Sequence, residues 1–233
     1  MTEPIPAPAP SPRPRAKALC LISGGLDSQL AACVLREQGV HVEGVAFSSP
    51  FFSPDAAIRA AKQLDIKLHV VDFTPHIAAL LKNPPHGFGS CLNPCIDCHA
   101  AMVRKASEIM AREGFDFIAT GEVLGQRPMS QRRDALNMVQ KDSGIPGRLL
   151  RPLSAQLLPE TEPETLGIVD RSRLLGLSGR NRKPQLEMAK RFGLVEFPTP
   201  AGGCLLTEPN YTRRLKNLME HEGLDDERLL RLL

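Results

Sequence analysis

Ser23-Gly24-Gly25-Leu26-Asp27-Ser28 lies between a short apolar run, Ala18 to Ile22, and a segment with helical spacing. A helix start there would offer an anion unpaired N–H groups and the positive end of the helix dipole. Two glycines remove Cβ atoms, so a phosphate could approach the backbone closely. Ser23 and Ser28 add hydroxyl donors, and Asp27 would repel a phosphate unless it orients the amides or binds Mg²⁺. The loop is neither a Walker A sequence nor a G-x-G-x-x-G turn. A plain strand-to-helix turn capped by Ser or Asp is the simpler alternative. Convergence of so many donors at one helix end favours the anion site.

Thiols form the second constellation. The cysteines are Cys20, Cys33, Cys91, Cys95, Cys98 and Cys204. Cys95-Ile-Asp-Cys98-His99 follows Asn93-Pro94 at the start of a helical pattern, where the dipole should favour a thiolate. The C-x-x-C-H spacing admits c-type haem attachment, which needs export, and the N-terminus has no apolar signal core. Structural zinc could use Cys91, Cys95, Cys98 and either His99 or Cys204. Buried thiols without chemistry are a third reading, which suits Cys20 in a strand and Cys33 on a helix. Sulfur transfer or an iron–sulfur cluster is the fourth. The residues alone leave these open.

Placed after a first strand, S-G-G-x-D-S resembles the signature of the PP-loop ATP pyrophosphatases, the adenine nucleotide α-hydrolases. The resemblance implies ATP cleavage between the α and β phosphates, with pyrophosphate and Mg²⁺ on Ser23, Gly24, Gly25, Asp27 and Ser28, and adenine against backbone near Phe47 and Gly121. Asn93-Pro94 followed by Cys98 resembles the catalytic segment of the tRNA 2-thiouridylases, which would make Cys98 a nucleophile. The second, persulfide-forming cysteine of those enzymes sits in a segment similar to Ala201-Gly-Gly-Cys204-Leu-Leu, after a helix like Lys183 to Leu194. Gly121-Glu-Val-Leu-Gly-Gln126 with Ser130-Gln131 resembles a stretch of the tRNA 4-thiouridine synthetases. The likeness runs over roughly residues 17–215, and nothing in the sequence resembles a THUMP or rhodanese domain.

What this implies is ATP-dependent tRNA thiolation. A uridine carbonyl is adenylated, and sulfur from sulfide or a persulfide carrier displaces AMP. Cys95 adds a third thiol to Cys98 and Cys204. Some tRNA thiolases resemble that pattern, with three cysteines holding a [4Fe–4S] cluster that keeps one iron open. Cluster ligation is favoured here over a plain persulfide relay. Cys91 is taken as a bystander, Asp97 as a helix-start charge and His99 as a satisfied helix histidine. Arg127, Arg132 and Arg133 lie in a polar loop after the fourth strand, where they could meet phosphate or RNA. Arg180, Arg182 and Lys183 belong to a basic stretch, 171–191, that could follow an RNA backbone; a solvated face is the alternative. The competing functions are a PP-loop ATP pyrophosphatase acting on a small-molecule carbonyl and a non-enzymatic iron–sulfur or zinc accessory protein.

These residues need a scaffold, and the pattern supplies one. Apolar runs at 18–22, 41–47, 67–73 and 115–120 alternate with helical spacings after Leu26, after Pro54, after Pro75 and over 94–113. That alternation predicts an α/β fold, a Rossmann-like parallel sheet with helices on both faces. We expect a Pro-rich disordered tail over 1–16, a nucleotide-binding domain over 17–147, and a small α-rich region over 148–233 carrying Cys204 and a basic helix. In the last of these, 171–193, 211–221 and the final residues read as helices. With 233 residues, 42% hydrophobic and 24% charged, the chain can bury a sizeable core. The absence of a long apolar run excludes a membrane helix, and a cytoplasmic protein is expected. Aromatic residues at 4% are too few for a base-stacking sheet.

Overall fold

The computed structural model describes residues 16–198, 204–224 and Leu230. The expected Pro-rich tail, the final helix and Ala201–Gly203 lie outside these residues. Five strands form one parallel sheet: β1 (Lys17–Leu21), β2 (His41–Ser48), β3 (Leu68–Asp72), β4 (Phe117–Thr120) and β5 (Leu149–Leu150), in the order β3-β2-β1-β4-β5. Ala18, Leu19 and Cys20 of the central strand and all of β4 are buried, because helices cover both faces.

One face is packed by α1 (Leu26–Glu37), α2 (Asp55–Leu64) and α7 (Lys183–Phe192), whose Leu30, Val34, Ala60, Leu64 and Ala189 meet Ala18, Cys20 and Phe117. The other is packed by α3 (Thr74–Lys82), α4 (Cys95–Glu113), α5 (Arg133–Asp142) and α8 (Pro209–His221), through Ile77, Leu81, Val103, Ala106, Val139 and Leu215 against Leu19, Val45 and Ile118. The apolar spacing on α1 and α4 read from the sequence is the buried face of each.

Three features depart from the sequence reading. α5 stands where no helix was expected; it buries only Ala135, Leu136 and Val139. Residues 171–193 are not one helix. A 3₁₀ turn at Arg171–Arg173 precedes extended chain, in which Leu175 and Leu177 donate to the carbonyls of Pro152 and Leu153 at 2.9 and 2.8 Å, before α7 begins. Those bonds satisfy backbone groups that a helix would otherwise have used. The change of texture after residue 147 falls inside the sheet, since Leu149 and Leu150 pair with β4 and later residues enter both apolar layers. The short α6 (Glu162–Thr165) is closed by a capping box between Thr161 and Glu164.

Candidate active site

β1 pairs with β2 on one side and with β4 on the other, so the strand order reverses beside it. Ligands in such sheets bind at the strand C-terminal ends at this point. The Ser23–Ser28 loop joins β1 to α1 there. Gly24 has φ +83°, and a Cβ on it would stand 2.3 Å from the backbone carbon of Ala56, so only glycine fits. The Gly25 N–H donates to Ser23 Oγ at 3.3 Å, and Ser28 Oγ donates to the Gly25 carbonyl at 2.8 Å. Buried Gln29 clamps the loop from beneath: its Nε2 donates to the carbonyls of Gly24 at 3.0 Å and Glu196 at 2.9 Å. Gln63 donates to Gln29 Oε1 at 2.7 Å. Sequence reading missed both glutamines, which gave no signal beyond their type.

The end of β4 presses on this loop. A Cβ on Gly121 would lie 2.4 Å from the Ser28 nitrogen, so the glycine is needed for close approach. Gln126 then donates to Asp27 Oδ2 at 2.6 Å and accepts from Gln185 of α7 at 3.0 Å. Asp27 Oδ1, Gln185 Oε1 and Arg182 Nε are buried with no hydrogen-bond partner. A carboxylate oxygen orphaned at the Ser23–Ser28 loop has the chemistry of an Mg²⁺ ligand. Phe47, at the end of β2, is buried edge-on against Phe73, with ring centroids 5.2 Å apart.

The thiols gather at the start of α4. Asn93 organises the turn before it, accepting from the Cys91 N–H at 3.0 Å and donating to Cys95 Sγ at 3.2 Å. Cys204 arrives from the far end of the chain on a segment held by Leu205 N–H donating to the Phe51 carbonyl at 3.0 Å. Cys91 Sγ lies 3.6 Å from the Thr207 carbonyl. Cys95, Cys98 and Cys204 lie near enough for their charges to act on one another. The expected lowering of the Cys98 thiol by the helix start is reversed. Burial, then the charges of Cys204, Cys95 and Asp97, push it far up. Burial likewise pushes Cys204 up to about 11, against the pull of the Leu206 N–H.

Three free thiols, Cys98 buried and Cys95 and Cys204 partly so, are a soft donor set of the kind that holds zinc or an iron–sulfur cluster.

Asp97 is neither exposed nor free. Its carboxylate accepts from the His86 backbone N–H at 3.0 Å and meets His86 Nδ1 at 2.7 Å, which ties the 83–93 loop over the thiols. His99 Nδ1 lies 3.1 Å from Glu122 Oε1, and buried Arg151 Nε donates to Glu122 Oε2 at 2.8 Å. Burial raises the Glu122 carboxyl, but the Arg151 charge and the His99 hydrogen bond outweigh it and hold it at about 2. Residues 98, 99, 122, 121 and 28 thus form a continuous path from Cys98 to the Ser23–Ser28 loop. The sequence reading named Gly121 but neither Glu122, which lies in the same quoted stretch, nor Arg151, which gave no sequence signal.

Among the basic candidates, Arg127, Arg180 and Lys183 are exposed. Arg132 Nε pairs with Asp134 at 3.1 Å, and Arg133 donates to the Leu157 carbonyl at 3.2 Å. Arg182 is half-buried beside Gln185.

The profile of the family described as "Thiamine biosynthesis protein (ThiI)" matches residues 14–156, well over half of the sequence. The chain belongs to the ThiI family. This ThiI-family chain is 34% identical over 145 residues to a probable tRNA sulfurtransferase of Anoxybacillus flavithermus, covering 58% of the chain and 34% of that protein. It is 25% identical over 222 residues to a probable tRNA sulfurtransferase of Brevibacillus brevis, covering 91% of the chain and 50% of the relative. It therefore spans a third to a half of these curated relatives. Its fold matches a 4-thiouridine synthetase crystallised with RNA and bound ATP, at TM-score 0.55 and 22% identity, over 93% of this chain and 52% of that one. Among the described residues, no helix is long and apolar enough to cross a membrane.

Proposed function

We propose that this chain performs ATP-dependent sulfur transfer to a tRNA uridine. The observation supporting this most strongly is the meeting of Cys95, Cys98 and Cys204 at the end of a contact path that starts on the phosphate loop. The relatives' sulfurtransferase names and the RNA and ATP held by the 4-thiouridine synthetase support the choice of substrates.

In this reading, Ser23, Gly24, Gly25 and Ser28 seat the ATP phosphates, Asp27 Oδ1 takes Mg²⁺, and Phe47 and Gly121 border the adenine. Mg²⁺ would supply charge neutralisation for the departing pyrophosphate. A uridine carbonyl oxygen attacks the α-phosphorus; the new P–O bond forms as the bond to pyrophosphate breaks. Sulfide, as HS⁻, then adds to the activated carbon, the C–O bond breaks to expel AMP, a far better leaving group than oxide, and the S–H proton is lost, with no change of oxidation state. A [4Fe–4S] cluster held by Cys95, Cys98 and Cys204 would supply an iron site for delivering sulfur. Glu122 fixes His99 through Nδ1, which leaves Nε2 to hold or release a proton. Arg127, Arg180 and Lys183 offer exposed charge to RNA phosphate, and Arg132 and Arg133 would join them by leaving their present partners. Arg182, half-buried with its Nε unpartnered, would add a further contact to phosphate. The compartment proposed is the cytoplasm, where tRNA is modified.

The test is pyrophosphate release from Mg-ATP by anaerobically purified chain, with and without tRNA, alongside mass analysis of the tRNA for thiouridine and iron analysis of the protein. The expected result is release stimulated by tRNA and abolished in Asp27→Asn. Thiouridine should be lost in Cys98→Ser and Cys204→Ser, and bound iron in all three cysteine variants. Release indifferent to tRNA, with no thiouridine formed, would point to a small-molecule carbonyl. No release at all would leave an accessory protein.

A further inference from the structure

A second set of metal-ligating side chains stands at the opposite end of the sheet. Glu43 near the start of β2, His69 near the start of β3 and Glu113 at the end of α4 each offer a donor atom, and these lie within 4.8 Å of one another. His69 Nε2 is 2.8 Å from Glu43 Oε2, and its Nδ1 is 3.9 Å from Glu113 Oε1. His41, two residues before Glu43 on the same strand face, brings Nε2 to 3.3 Å from Glu43 Oε1. The Phe115 ring meets His69 edge-on, with centroids 6.3 Å apart, and holds the imidazole in place. Glu113 lies 15 residues beyond Cys98 on α4, about 22 Å along the helix axis. The cluster therefore shares nothing with the thiols or the phosphate loop.

Lys67 identifies what the two carboxylates are arranged around. Its Nζ lies 3.1 Å from Glu43 Oε2 and 3.2 Å from Glu113 Oε2, so a cation already bridges them. That cation is loosely kept: the Lys67 side chain is 59% exposed, whereas those of His69 and Glu43 are 13% and 16% exposed. Ion pairs this exposed contribute little, so the ammonium can swing into water at small cost. The imidazoles it leaves behind are of no use to a lysine but are ligands for a borderline transition metal.

We propose that Glu43, His69 and Glu113 form a divalent transition-metal site of the zinc class, which clips β2 and β3 to the end of α4 when Lys67 vacates it. Imidazole with carboxylate sets it apart from an all-oxygen Mg²⁺ or Ca²⁺ site. No bond to carbon changes; the metal replaces one ammonium.

The test is zinc and cobalt titration of the full chain, with bound metal counted after dialysis and thermal unfolding followed in parallel. His69→Asn should lose one equivalent of zinc and the zinc-dependent rise in unfolding midpoint. The cobalt–thiolate charge-transfer band, which reports the cysteines, should be unchanged. Lys67→Ala removes the competing cation without touching a ligand and should tighten zinc binding by about tenfold. Equal zinc uptake by wild type and His69→Asn overturns the proposal. If His69→Asn does not fold, unchanged zinc affinity in Lys67→Ala overturns it instead.

Discussion

The Phe51 carbonyl accepts the Leu205 N–H at 3.0 Å, and this bond joins the chain after β2 to the segment carrying Cys204. The Phe51 ring reinforces it, packed edge-on against Tyr211 of α8 with centroids 6.0 Å apart. The third thiol is thus seated by an aromatic lock 153 residues away in sequence from the cysteine it positions.

Phe51 is fully buried, so Phe51→Ala should cost about 3–5 kcal/mol through the cavity it leaves. Urea unfolding measures that loss. Under native conditions the same variant should alkylate Cys204 faster than wild type, because the segment loses its anchor. An unchanged Cys204 rate would mean that the backbone bond alone holds the segment.

Cys204 alkylation also has a predicted pH dependence. Burial raises this thiol to about 11, so it is protonated at neutral pH. Its reaction with iodoacetamide in the metal-free chain should rise by about tenfold per pH unit across the accessible alkaline range. A plateau near pH 8 in the rate read by mass spectrometry would contradict the burial described here.

Gly24 and Gly121 fit by the absence of a side chain. Gly24→Ala would force a methyl group into the Ala56 backbone at a positive φ, and Gly121→Ala would force one into the Ser28 nitrogen. Either shift displaces phosphate donors by a fraction of an ångström or more, and pyrophosphate release should fall roughly 100-fold. Gly39→Ala is the control, because nothing lies within 4 Å of its added Cβ. It should strain its own turn and spare the activity.

Glu122 sets an acid limit on stability. Its folded carboxyl is held at about 2, well below its ordinary value. Its contribution is complete above about pH 5 and is lost as pH falls through the interval down to about 2; the total is roughly 3 kcal/mol. Denaturant unfolding at pH 6 and pH 3 should therefore differ less in Glu122→Gln than in wild type. Arg151→Met strands the carboxylate in the interior and should cost about 3–5 kcal/mol at pH 7. Adding Glu122→Gln to it should recover part of that.

Much of this was written in the sequence because it is local. The alternation of apolar runs with helical spacings gave four strands and most helices, since burial on both faces of a parallel sheet demands continuous apolar strands. The turn at Ser23–Ser28 was legible because two glycines and three polar side chains separate an apolar run from a helical spacing, and the structure places it between β1 and α1. β5 and α5 were not legible. A two-residue strand has no period, and a ten-residue helix burying three side chains depends on α4 for its stability. Residues 171–182 were misread because charge composition does not reveal backbone bonds to Pro152 and Leu153.

Sequence alone therefore determined four of the five strands, the turn between β1 and α1 and the kinds of donor available. Tertiary structure decided which donors meet, because pairing across long separations is set by packing and leaves no periodic trace. Only the fold brings Gln126 to Asp27, buries Arg151 against Glu122 and seats Cys204 beside Cys98. Only the fold, too, turns a thiol at a helix start into one that burial keeps protonated, since desolvation in the interior outweighs the helix dipole.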